Sequence, residues 1–203
     1  MLQPIENANQ IFVVIIDEAY RYSDDHSYPQ ASEKYRQALD QEFQSDFRTA
    51  NIGPGADLPA FVTALNNVPT PVEVVLGLFF SGALIKNNLD AWGKIYSRLR
   101  CFFSRPVLFA RNGAAVLAVQ AIFDELGKLP KTIELLRYSK EDSLGYHKNN
   151  LAEIKLDKVI SDNSPIIFLS HVVHLFEIEA DGSIFRVAID GKDVEIIRVN
   201  GKI

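Results

Sequence analysis

Three short stretches carry residue types whose spacing could do chemistry. In "LAEIKLDKVI", Glu153 and Lys155 are two apart, and on a strand that spacing puts a carboxylate and an amine on one face. A metal held by carboxylates beside a lysine can activate water, and Asp142 or Glu134 would supply the second carboxylate. Arg111-Asn112-Gly113 stands where an apolar strand-like run, "RPVLFA", gives way to a helix-like one. Free backbone N–H groups at such a junction bind anions, and the arginine adds charge. The same three residues also suit a plain asparagine cap and a glycine turn. His171 and His174 would chelate zinc from one helix face, but their β-branched surroundings predict a strand, where residues three apart point to opposite faces. They are expected to be structural.

The Glu153–Lys155 fragment resembles the D…ExK nucleases, and the resemblance implies magnesium-dependent cleavage of nucleic acid. It covers these few residues only, and a Glu-x-Lys pair arises by chance about once in a chain of this composition. "IFVVIIDE" resembles the magnesium-coordinating strand of an ATPase. The phosphate cradle that such a strand serves is missing: the Gly-Lys pairs at Gly93, Gly127, Gly191 and Gly201 are never followed by Ser or Thr. Asp17 and Glu18 therefore read as polar residues where a buried strand surfaces, and Asp24-Asp25-His26 as a solvated turn. No G-x-S-x-G elbow is present.

A fourth stretch, "WGKIYSRLRCFFSR", mixes Trp92, Tyr96, Phe102 and Phe103 with Lys94, Arg98, Arg100 and Arg105. Tyr, Trp and Arg dominate protein interfaces, so Arg98 and Arg100 are candidate partner contacts. The alternative is an amphipathic helix end with its cations near the favourable dipole terminus.

These residues must be positioned by a fold that composition already bounds. The chain has 203 residues, 47% of them apolar and 10% aromatic, enough for one full core or two small ones. A net charge of −5 counts against gripping phosphate backbones. The single cysteine, Cys101, excludes an internal disulfide and a Cys-based zinc site. "MLQPIENANQ" lacks the basic-then-apolar order of a secretion signal, so a cytoplasmic protein is expected. The most apolar run, Val72–Ile85, is too short to span a bilayer and contains Glu73.

Along the chain, Ile11–Ile16 predicts a buried strand. A helix with Tyr35, Leu39, Phe43 and Phe47 at four-residue steps is expected to end at Gly53-Pro54. A shorter helix from Asp57 would bury Leu58, Phe61, Val62 and Leu65. Thr70-Pro71-Val72-Glu73 is a capping box that opens a helix, with Asn87, Asn88 and Gly93 as sites for a break before Arg100. Beyond Ser104, strand, helix and strand suggest a βαβ unit with a parallel pair. "AAVLAVQAIFDEL" within it is apolar nearly all round. "SKEDSLGYHKNN" reads as a polar loop. Asp181-Gly182 and Asp190-Gly191 then punctuate a meander of three strands.

The expected class is α+β: a helical N-terminal half packed with a βαβ unit and a C-terminal antiparallel β-meander. Residues 1–103 would be mainly helical with one strand and 104–203 the βαβ-plus-meander region, or the whole one compact domain. No cofactor is expected. The first functional expectation is a non-catalytic interaction or regulatory component of a larger assembly, with a protein partner rather than nucleic acid or membrane. An enzyme, either nuclease-like or phosphate-binding, is the alternative, and a peripheral membrane protein the second.

Overall fold

An α-helix that is apolar nearly all round needs cover on most of its sides, and Arg111–Leu126 finds it between two β-sheets and a neighbouring helix. The structure, a computed structural model, describes residues 10–52, 58–65, 70–86, 89–142, 151–154, 156 and 172–199. In chain order the elements are β1 (Ile11–Ile16), α1 (Ala19–Tyr22), α2 (Tyr28–Phe43), β2 (Arg48–Ile52), β3 (Leu58–Leu65), α3 (Thr70–Phe80) and α4 (Asp90–Leu99). A 3-10 turn over Arg100–Ser104 leads to β4 (Val107–Phe109), α5 (Arg111–Leu126), β5 (Ile133–Asp142), β6 (Val172–Ala180), β7 (Ser183–Asp190) and β8 (Asp193–Val199).

The first sheet has the order β2-β3-β1-β4 and the second β5-β6-β7-β8; every pairing is antiparallel. The α+β class and the C-terminal meander are therefore present. Strand, helix and strand do follow one another as β4, α5 and β5, but the two strands lie in different sheets and no parallel pair occurs among the described strands. A βαβ helix covers one sheet with one face. α5 instead packs on α4, on β1 and β4 of the first sheet and on β6, β7 and β8 of the second, which is why Asn112 to Val119, Ile122 and Phe123 are all buried. One continuous buried cluster runs from Ile11, Val13 and Ile15 through α3, α4 and α5 to Phe185, Val187 and Ile189.

The N-terminal half holds more strand than expected. Leu58–Leu65 is a strand, not a helix, and pairs along its length with β1, Ile15 facing Phe61 and Val13 facing Thr63. Its apolar residues satisfy both periods at once: Ala60 and Val62 line one face of the sheet while Phe61 lines the other. The long pairing with β1 decides between them. α2 stops at Phe43, not at Gly53-Pro54. Gln44 turns left-handed (φ 49°), and the Asp40 carboxylate accepts the Phe47 N–H at 2.7 Å, turning the chain into β2. The long helical stretch after Thr70 does break into two. It does so at Ser81-Gly82, where Gly82 has φ 71°, and Gly93 lies inside α4. Asn87 and Asn88 are outside the described residues.

Both hairpins of the meander form, the first at Asp181-Gly182 and the second at Gly191-Lys192, one residue beyond the expected Asp190-Gly191, because Asp190 still pairs with Asp193. Asp181 and Gly182 have φ 48° and 76°, the doubly positive pattern of a type I′ hairpin. Gly191 (φ 61°) has a second task, because a Cβ there would lie 2.7 Å from the Val107 carbonyl oxygen. The β7–β8 hairpin tip thus rests against β4, and Lys192 Nζ donates to the Phe103 carbonyl at 2.8 Å, fastening the second sheet to the first.

Candidate functional site

α3 begins at Thr70, as its capping sequence predicts, and turns Val75, Leu76 and Phe79 into the core. The same apolar run leaves large side chains outside: Val74 is 56% exposed, Leu78 44% and, beyond the turn, Leu84 47%. Val74 and Leu78 are four apart and share a helix face. Gly77 is exposed beside them. Its φ is not positive, and no described atom lies within 4 Å of where its Cβ would be. Glycine inside a helix costs about 1 kcal/mol relative to alanine, and nothing among the described residues requires it here. Residues 70–85 contain no Lys or Arg. The result is an apolar helix face open to solvent, in a run whose one charged residue is Glu73.

Arg111, Asn112 and Gly113 form the first turn of α5 rather than a loop, and Ala110 occupies the cap position. Each has a structural occupation. The Arg111 guanidinium lies 4.4 Å from the Phe80 ring centroid. Asn112, buried and not a cap, donates from Nδ2 to the Gln10 carbonyl at 2.8 Å. Gly113 permits close packing, since a Cβ would sit 2.9 Å from Phe109 Cβ. The fold brings this turn beside a residue far away in sequence, His174. His174 lies on β6, as its β-branched context predicts, and is buried; His171 is outside the described residues. Tyr138 Oη is 2.9 Å from His174 Nδ1. Burial first, then the Lys140 and Arg111 cations, push the ring's pKa down to about 3, against an opposing hydrogen bond to the Phe109 backbone. A neutral ring that accepts from Tyr138 at Nδ1 and donates to Phe109 satisfies both nitrogens.

Asp17 does not surface. It is 1% exposed and accepts hydrogen bonds from Ala19 N–H (3.0 Å), Tyr28 Oη (3.0 Å) and Ser32 Oγ (2.6 Å). Next to it, Glu18 accepts from Tyr35 Oη at 3.2 Å, and Arg105 lies 3.8 Å from Glu18 and 2.6 Å from Glu42. Burial, and then the Glu18 charge, raise the Tyr35 phenol to about 12. The network pins α2 to the end of β1. Asp24 accepts from the His26 and Ser27 N–H groups, the solvated turn expected of "DDH".

Glu153 and Lys155 lose the strand that was to align them. Leu151–Glu153 is a turn, Ile154 has no regular structure, and Lys155 lies outside the described residues. The carbonyls here meet an arginine instead of a ladder: Arg186 Nη1 reaches Leu151, Ala152 and Ile154 oxygens at 3.1, 2.5 and 3.2 Å. Its Nε donates to buried Glu177 at 2.9 Å. This strap covers the outer face of the second sheet, with Leu151 and Leu156 on Val173, Leu175 and Ala188. Glu153 is exposed, Asp142 ends β5, and Glu134 lies near the strand's start. Among the described residues no three His, Cys, Asp or Glu side chains group to hold a metal.

Arg98 and Arg100 are exposed at the end of α4, whose Trp92, Ile95 and Leu99 face the core. Arg100 lies 5.9 Å from the Tyr96 ring centroid. The amphipathic arrangement is as read from the spacing. No described helix is long and apolar enough to cross a membrane. Neither a family of known proteins, nor a curated protein, nor a solved structure matches this chain.

Proposed function

We propose that this chain is a cytoplasmic, non-catalytic binding component of a larger assembly, and that the outer face of α3 is its docking surface for a protein partner. The observation that carries this is the exposure of Val74, Leu78 and Leu84 on an otherwise well-buried apolar run. Covering them removes about half of each side chain from water, worth on the order of 1 kcal/mol apiece. Together that is roughly a hundredfold in affinity. A protein suits this face better than a membrane, because amphipathic surface helices draw on Lys and Arg to meet anionic lipid. Residues 70–85 have neither, and the whole chain carries −5. Arg98 and Arg100, on the neighbouring helix, would supply charged contacts at the rim.

The test compares affinity capture by the unmutated chain, Leu78→Glu, and the Arg98→Glu/Arg100→Glu pair, with the melting temperature of each as a control. A partner retained by the unmutated chain and lost with Leu78→Glu at unchanged melting temperature supports the reading. Binding to anionic vesicles that depends on Leu78 replaces the protein by a membrane. Partners indifferent to Leu78→Glu place the docking surface elsewhere.

A further inference from the structure

We propose that the turn after β1 is a second docking surface, independent of α3, and that its partner is an extended, arginine-bearing segment of another protein. The chain leaves β1 at Asp17 and makes one helical turn, α1, none of whose side chains is buried. Tyr20 is 51% exposed and Tyr22 85%, and Arg21 between them is exposed as well. Neither phenol serves the core. Their base is nevertheless fixed: the Tyr20 ring meets Tyr28 edge-on, with centroids 5.5 Å apart, and Tyr28 Oη donates to buried Asp17. Trp, Tyr and Arg are the residues enriched among interface hot spots, and a tyrosine ring loses little freedom on contact. Residues two apart on a helical turn point in different directions. A partner that touches both rings therefore wraps the turn, which an extended segment can do and a flat surface cannot.

Charge selects what that segment carries. Residues 17–46 hold eight Asp and Glu against three Lys and Arg, so they alone account for the net −5 and the rest of the chain is balanced. Along α2 the acids are matched: Arg36 pairs with Glu33 and Asp40, and Arg105 with Glu18 and Glu42. At the turn they are not. Asp24 accepts two backbone N–H groups, and Ser27 leads the contacts that hold its carboxyl below the usual range; Asp25 is exposed. No described Lys or Arg forms an ion pair with either. Arg105 shows what a tyrosine ring beside carboxylates takes up: its guanidinium lies 5.7 Å from the Tyr35 ring centroid while it pairs with Glu18 and Glu42. Tyr20, Tyr22, Asp24 and Asp25 present the same two kinds of group. Arg21 stands on the same turn but makes no ion pair or ring contact among the described residues. A guanidinium stacks on rings and pairs with carboxylates in a planar fork, which a lysine ammonium does not. The same charges repel anionic lipid and nucleic acid.

Fluorescence anisotropy of a labelled oligo-arginine peptide titrated with the full chain tests the inference, with an oligo-lysine peptide of equal length beside it. Saturable binding that favours arginine and weakens with salt is expected. Tyr22→Ala should weaken it about tenfold and Asp25→Asn about threefold, both at an unchanged melting temperature. Glu33→Gln, which removes an equal charge from α2, and Leu78→Glu on α3 should leave it nearly unchanged. Absence of binding at low salt overturns the inference. So does binding that takes oligo-lysine equally well, ignores Tyr22→Ala, or responds to Glu33→Gln as to Asp25→Asn, the marks of unspecific attraction. Loss with Leu78→Glu moves the peptide to α3 and also overturns it. Sedimentation of the chain alone completes the test: self-association abolished by Tyr22→Ala makes the occupant a second copy instead.

Discussion

Lowering the pH should destabilise this protein through His174, and the size of the effect follows from the ring's burial. Unfolded, a histidine takes up a proton near pH 6.5; folded, this ring resists protonation until about pH 3. Between those values the unfolded state binds more protons, so the stabilisation is complete above pH 6.5 and falls as the pH drops through that window. At about 1.4 kcal/mol per pH unit, the loss at pH 5 is about 2 kcal/mol, and no more than about 5 kcal/mol accrues by pH 3. The Phe109 backbone favours a proton on the ring, but the rest of the surroundings outweigh it. Lys140 and Arg111 already place positive charge nearby, and Tyr138 presents its hydroxyl to Nδ1. Urea unfolding at pH 7 and pH 5 of the unmutated protein and of His174→Gln isolates the group. Carboxylates held below their usual range by hydrogen bonds, such as Asp24 and Asp181, contribute equally to both proteins and cancel. The unmutated protein should lose about 2 kcal/mol more than the variant. Equal losses would refute the assignment of a buried, neutral ring.

Four other outcomes are expected. Gly113→Ala forces its methyl group against Phe109 and should lower stability by about 1–3 kcal/mol, although alanine is the better helix former; denaturant unfolding checks it, and a stabilised variant removes the close-packing argument. Gly191→Ala combines a left-handed backbone with a contact to the Val107 carbonyl, so a loss of at least about 2 kcal/mol in thermal unfolding is expected. Arg186→Met leaves Glu177 buried with its nearest cation gone and should cost about 3 kcal/mol while speeding protease cleavage within 151–154; an unchanged melting temperature would show the clamp to be dispensable. Inorganic phosphate, magnesium and manganese should leave the melting temperature unmoved. A phosphate-dependent rise lost in Arg111→Ala, or metal-dependent cleavage of nucleic acid lost in Glu153→Gln, would return the chain to the enzymes.

What the sequence disclosed was local. β1, the start of α3 at Thr70, the nearly all-apolar character of α5 and the two hairpins of the meander were legible because neighbouring residues determine them. β3 was not, since a strand covered on both faces and a short helix share the same apolar spacing, and only the partner strand separates them. Nor was the placement of β4 and β5 in different sheets: the signal lay in α5, whose nearly all-round apolar surface is more than a βαβ helix needs. The network around Asp17 and Glu18 spans 63 residues at its longest hydrogen bond and the Arg186 clamp 35, and neither spacing leaves a periodic trace. The open face of α3 was hidden for a different reason. An apolar run shows where burial is available but not which side chains the fold leaves uncovered.

The enclosure of α5 also shapes how the chain is made. As residues 1–126 are synthesised, the first sheet and α5 can meet, but the side of the helix destined for β6, β7 and β8 has no cover until those strands have formed. During that interval the cell holds a half-clad apolar helix, the kind of surface that chaperones bind and that aggregates when they do not. Slow or interrupted synthesis of the last third is therefore the stage at which this protein is most exposed to loss. A truncated chain would carry that vulnerability permanently.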